Sequence, residues 1–164
     1  MLRRAEQTAL KRGIDSEKDV LYSPQWRQQA IAELEARIAR APLAGGAWRE
    51  LGPAPTPNGQ TVATVTPVSG RVISIAVHPT NANIVYVGTA SGGLYRSTNG
   101  GTSWVPLMDT ALSLSIGAIA IAPSSPDTVY VGTGEANFSL DSFFGVGVYR
   151  IDNASSASPT LVGP

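Results

Sequence analysis

Glu135, Asn137, Ser139, Asp141 and Ser142 fall within eight positions and run straight into Phe143 and Phe144. Oxygen donors at this density suit a hard cation such as Ca²⁺, for which Glu135 and Asp141 are the candidate ligands. Aromatic rings beside hydrogen-bonding groups suit a sugar. Glu135, Asn137, Asp141, Phe143 and Phe144 therefore form the candidate ligand-binding set. A structural reading competes with it, because Asp and Glu in a loop also satisfy neighbouring backbone N–H groups. Elsewhere the chemistry is sparse. His78 stands before Pro79 as the one histidine of a chain without cysteine, so a histidine or thiolate metal site is not expected and His78 reads as a turn residue.

Two kinds of sequence must position these groups. Residues 1–50 hold nine Lys or Arg and seven Asp or Glu, whereas residues 51–164 hold Arg71, Arg96 and Arg150 against Asp109, Asp127, Glu135, Asp141 and Asp152. The first part is rich in Ala, Arg, Glu and Gln, the second in Gly, Ser, Thr, Pro and Val, the latter a composition of short strands and tight turns. The boundary falls near Pro42–Ala47, which divides the chain into a helical leader, 1–45, and a strand-rich part, 46–164. Within the leader, Ser23-Pro24 is an N-cap with proline at the first helical position. Trp26, Ala30, Leu34 and Ile38 recur at helical spacing with Ile31 alongside, which predicts a helix over about 24–40 whose apolar face packs on its own chain or on further sequence, docking of a partner being the alternative. Glu33 and Arg37 pair four apart, and Pro42 with Gly45-Gly46 stops the helix. An earlier short helix is expected to end at Gly13.

Charges of both signs number 12, so no basic field favours nucleic acid, and no apolar run approaches a membrane span. Arg3, Arg4 and Lys11 have no apolar stretch behind them, so the start does not read as a secretory signal.

The strand-rich part repeats itself. Ile75-Ala76-Val77-His78-Pro79 returns as Ile119-Ala120-Ile121-Ala122-Pro123, and Ile84-Val85-Tyr86-Val87-Gly88-Thr89 as Thr128-Val129-Tyr130-Val131-Gly132-Thr133, both 44 residues on. Gly93-Leu94-Tyr95-Arg96 returns as Gly147-Val148-Tyr149-Arg150 after 54, so the second copy carries ten extra residues, about Glu135 to Phe144. Each copy alternates apolar and small residues and breaks at Pro, Asn or Gly, which is strand chemistry. A period near 44 with about four strands matches one blade of a β-propeller. The fold expected is mainly β, an incomplete propeller of about two four-stranded meander blades, 70–107 and 116–162. One leading strand at Trp48-Arg49-Glu50-Leu51 echoes Trp104-Val105-Pro106-Leu107. Tyr86, Tyr130 and Trp104 are expected to pack between strands or blades. Two blades cannot close a ring of roughly four to eight, so a longer parent protein, or self-association through open blade faces, is expected.

Ser97-Thr98-Asn99-Gly100-Gly101-Thr102-Ser103-Trp104 resembles the Asp-box, Ser-x-Asp-x-Gly-x-Thr-Trp, of BNR-repeat propellers such as sialidases, sortilin-type receptors, xyloglucanases and photosystem II assembly factors. Ser97, Asn99, Gly101, Ser103 and Trp104 are the residues that carry the resemblance, with Asn99 in place of Asp. The motif is structural: Asn99 bonds nearby backbone, the glycines permit positive φ and the indole packs. In the second copy Asn153 remains, whereas the glycines and tryptophan do not, so that turn is degenerate. The stretch from Gly70 to Ser142 also resembles large bacterial exported propellers of glycosyl-hydrolase-like type.

The resemblance implies an architecture more than an activity. Xyloglucanases of this kind carry a catalytic Asp in Thr-Asp-x-Gly-Gly, where this chain has Thr89-Ala90-Ser91-Gly92-Gly93. Sialidases need three substrate-binding arginines with a Tyr and Glu pair, but Arg96 and Arg150 recur here as repeat positions. No residue of this chain is therefore assigned a catalytic role. The expectation is a non-catalytic binding or scaffolding module for a carbohydrate or protein ligand, with no cofactor beyond the Ca²⁺ candidate. Two alternatives stand: the N-terminal part of a glycoside hydrolase whose catalytic residues lie outside this chain, and an assembly factor for a membrane complex. The resemblance implies an extracellular or cell-surface location, and the lack of a signal sequence leaves the cytoplasm open.

Overall fold

The computed structural model describes residues 24–40, 56–59, 66–135 and 143–164. The helix expected before Gly13, the leading strand at 48–51, and Asn137, Ser139, Asp141 and Ser142 lie outside them. Helix α1 runs Pro24–Arg40 and ends on Arg37 and Arg40, cations placed where the helix dipole favours them. Arg37 reaches Glu33 at 2.8 Å, both side chains well exposed, an interaction worth a few tenths of a kcal/mol, roughly. Arg27 ties the helix to the rest of the molecule, donating from Nε to the Ala111 carbonyl at 2.9 Å and from Nη2 to that of Asp109. The packing expected of the apolar stripe is limited to this end, since Leu34 and Ile38 are exposed. Trp26's side chain lies outside the described residues. Among those residues no helix is long and apolar enough to cross a membrane.

A two-stranded antiparallel ribbon follows, β1 (Thr56–Gly59) with β2 (Thr66–Val68). The first four-stranded sheet is β3 (Val72–Val77), β4 (Val85–Thr89), β5 (Leu94–Ser97) and β6 (Val105–Pro106). The second is β7 (Ile116–Ile121), β8 (Val129–Thr133), β9 (Val148–Asp152) and β10 (Thr160–Val162). Both are antiparallel meanders in chain order, and both register shifts fall at the same place, Val72/Ser74 in β3 and Ile116/Ala118 in β7. Two such sheets, with β7 packed on β3 and β4, make an incomplete propeller-like fold.

Alternation decides what each sheet buries. Ala76, Tyr86 and Arg96 lie directly opposite one another across β3, β4 and β5, as do Ser74 and Gly88, then Gly88 and Leu94. This face of the first sheet meets the second. There Ile119, Val131 and Tyr149 form one cross-strand row and Ile121, Val129, Ile151 and Leu161 the next. Tyr86, Leu94, Met108, Ile116, Val129, Val131, Tyr149 and Ile151 join in one core cluster between the sheets. A Cβ on Gly88 would come within 2.5 Å of Ile116 Cγ2, so the sheets approach to contact where the repeat places glycine.

The equivalence of the two tyrosines stops at the sequence. Tyr86 is fully buried, but Tyr130 is 43% exposed and Trp104 40%, which corrects the expectation that all three pack between strands or blades. Tyr130 faces away from the first sheet, on the side where a further blade would stand. Trp104 sits immediately before the two-residue edge strand β6, and a Cβ on Gly101 would lie 3.4 Å from its ring.

Burial holds the Tyr86 phenol above its ordinary pKa, with the Arg96 charge opposing and Asp127 adding to the rise. Its hydroxyl has no hydrogen-bond partner among the described residues. An unmade buried bond costs about 1–3 kcal/mol, so Tyr86→Phe should leave stability unchanged or raise it by about 1 kcal/mol. Urea unfolding checks this: a loss of similar size would show that the hydroxyl is bonded.

Candidate ligand site

A meander delivers alternate connections to the same end of its sheet. The β4–β5 and β8–β9 connections, the start of β3 and the passage from β6 to β7 therefore share one end, which carries Arg71, Ala90, Glu135, Phe143 and Phe144. Helix α1 reaches that same passage through Asp109 and Ala111. The other end carries His78 and the turn at 97–104.

Thr89 closes the first of these connections. Its N–H and Oγ1 donate to the Gly93 carbonyl at 3.1 and 3.0 Å, and Oγ1 accepts from Gly92 N–H at 2.9 Å. Thr133 does the same across a longer gap. Its N–H and Oγ1 donate to the Gly147 carbonyl at 3.1 and 2.7 Å, while Val146 and Gly147 N–H donate to Oγ1 at 2.9 and 3.1 Å. The ten extra residues thus leave the clasp of the shorter connection in place. Inside it the backbones crowd: a Cβ on Gly145 would lie 2.1 Å from the Thr133 carbonyl oxygen.

Glu135 stands just inside this clasp. Its N–H donates to the Phe143 carbonyl at 3.1 Å, which brings two of the candidate residues together through the backbone. Its side chain is 1% exposed and accepts from Arg71 Nη2 at 2.7 Å, while Arg71 remains 46% exposed. The carboxylate is therefore turned into the protein against its partner, and of this pair it is the guanidinium that faces solvent. Phe144 is 67% exposed and Phe143 38%. Asn137 and Asp141 lie outside the described residues, and among those that are described no three His, Cys, Asp or Glu side chains gather into a metal-binding group.

The 97–104 turn is a network of side chains. Ser97 is buried, and its Oγ accepts from Asn99 and Gly101 N–H at 3.2 and 2.8 Å and donates to Asn99 Oδ1 at 2.9 Å. Asn99 Oδ1 also accepts from Ser103 N–H at 2.9 Å, and Nδ2 donates to Ser103 Oγ at 2.8 Å, a bond that an ionised Asp would have no hydrogen to make. Gly100 and Gly101 take φ of 66° and 91°. The second copy keeps this backbone path by other means. Gly100 N–H donates to Asn83 O at 3.0 Å, and at the equivalent place Ala154 N–H donates to Asp127 O at 2.8 Å, with the positive φ moved to Asn153 at 53°. Degenerate in side chains, that turn is intact in its main chain. At the same end, His78 Nδ1 accepts from Thr80 N–H at 3.3 Å, the geometry of a turn.

No family model matches the chain, and no curated protein does. Among solved structures it is similar to an ancestral GH74 enzyme, at 30% identity over 56% of this chain and 12% of that one, with a TM-score of 0.42.

Proposed function

We propose that this chain is part of a non-catalytic binding module that takes a carbohydrate at the clasped end of its sheets. The observation that supports this is the pairing of exposed and closed groups there: Phe144 and Phe143 present ring surface to solvent, whereas Glu135 is sealed against Arg71. Exposed aromatic rings at the same end of the sheets as a half-exposed guanidinium suit a sugar's apolar face and hydroxyls. A hydrolytic acid or base must instead reach the scissile bond, and a carboxylate 1% exposed in an ion pair does not.

The test is affinity electrophoresis of the chain against a panel of soluble neutral and acidic polysaccharides. Retention by at least one polysaccharide is expected, and Phe144→Ala should weaken it about tenfold, near 1.4 kcal/mol, with thermal melting unchanged because the ring is exposed. No retention on any polysaccharide would sink the carbohydrate reading and favour a protein ligand. Retention indifferent to Phe144→Ala would place the ligand elsewhere.

A further inference from the structure

The repeat makes each buried face of this molecule the copy of an exposed one. Ala76, Tyr86, Gly88, Leu94 and Arg96 lie on the face of the first sheet that packs on the second. Their equivalents, Ala120, Tyr130, Gly132, Val148 and Arg150, form one face of the second sheet. That face is open: Tyr130 is 43% exposed and Val148 60%. The converse holds on the other side. Ile119, Ile121, Val129 and Val131 cover the first sheet, and their equivalents Ile75, Val77, Val85 and Val87 line its opposite face, with Ile75 64% and Val77 51% exposed.

We infer that the open face of the second sheet takes the open face of the first sheet of another copy of this chain, head to tail. The contact would repeat the one already made within the chain. The occupant follows from the molecule itself, since the surface that fits the Tyr86 face is seen in place, and the surface equivalent to it lies exposed on every copy. A polar register accompanies the apolar one. Arg96 is buried and donates from Nη1 to the Ala154 carbonyl at 2.7 Å and to that of Ser156. At the equivalent positions, Arg150 of one copy would meet the Gly100 and Thr102 carbonyls of the next. In the single chain Arg150 is turned back on its own strand, to Asp152 at 2.9 Å, an exposed pair of little worth. Such a contact is heterologous, so it closes into a ring or continues as a fibre. With roughly four to eight blades to a ring, two to four copies of a two-blade chain close one.

Size-exclusion chromatography with light scattering tests this on the 17.1 kDa chain. A discrete species of about 34–68 kDa is expected. Val148→Asp spoils one face and Ile75→Asp the other, so each variant alone should run as a monomer. Their equal mixture should give a dimer and nothing larger, because each partner brings one intact face. Ala120→Asp and Val77→Asp replace either variant if its melting curve shows it unfolded. Arg150→Met keeps the apolar stem and should raise the dissociation constant at least tenfold. A monomeric wild-type chain at about 100 µM would overturn the inference and leave the face to a further blade of a longer chain. So would a single-face variant that still assembles, a mixture that stays monomeric, or an Arg150→Met constant that does not move.

Discussion

Arg96→Ala is expected to remove about 3 kcal/mol of folding stability. Arg96 is 6% exposed, and its guanidinium joins the two sheets by donating to the Ala154 and Ser156 carbonyls across 58 and 60 residues of chain. Hydrogen bonds that involve a charged group contribute about 1.5–3 kcal/mol each, and alanine leaves both carbonyls facing a void. A domain of this size has about 5–15 kcal/mol in all, so the variant should melt about 10 °C lower. Urea unfolding provides the check, with Arg96→Met beside it to separate stem from charge. A loss under about 1 kcal/mol would mean that desolvating the guanidinium cancels what its bonds contribute.

Gly117→Ala should be more damaging than its one methyl group suggests. A Cβ at Gly117 would lie 2.1 Å from the Gly134 carbonyl oxygen, which is main chain and has no rotamer to escape into. Gly134 is itself held by its N–H on the Ser115 carbonyl at 2.8 Å, at φ of 90°. Gly117 lies at the register shift of β7, where a bulge brings two backbones together as only glycine allows. Overpacking of this kind costs about 1–3 kcal/mol and at times more, and the upper end is expected here. Gly70→Ala is the control. Nothing lies within 4 Å of its would-be Cβ, and restricting the unfolded chain should make that variant neutral or slightly more stable. Thermal melts of the pair decide: equal effects would show that the bulge yields easily and that crowding at Gly117 is not what matters.

The strands were legible because the repeat states them twice. Offsets of 44 and 54 align Tyr86 with Tyr130 and Tyr95 with Tyr149, and the observed registers follow that alignment. The β1–β2 ribbon was not, since Thr56-Pro57-Asn58-Gly59 reads as a turn and carries no alternation. Burial was legible only in pattern. Tyr86 and Tyr130 have the same neighbours in sequence and opposite fates, because what covers a sheet face is another sheet. The role of Arg96 was misjudged as mere repetition, although a charged residue recurring between apolar strand positions is itself a signal that its charge is used. The Arg71–Glu135 pair joins residues 64 apart with no pattern to link them, and it holds the side chain of one candidate ligand residue at 1% exposure.

The threonine clasps have a consequence for how this scaffold can be altered. Thr89 and Gly93 hold three residues between them and Thr133 and Gly147 hold thirteen, yet each threonine closes on the glycine carbonyl with the same two hydrogen bonds. Lengthening a closed loop by that ratio costs only about 1 kcal/mol in chain entropy, and the strands on either side take no part in it. The clasp therefore works as a graft point: foreign peptides of about ten residues joined between Ala90 and Gly92 should be displayed at the same end as Phe144 while both sheets keep their registers.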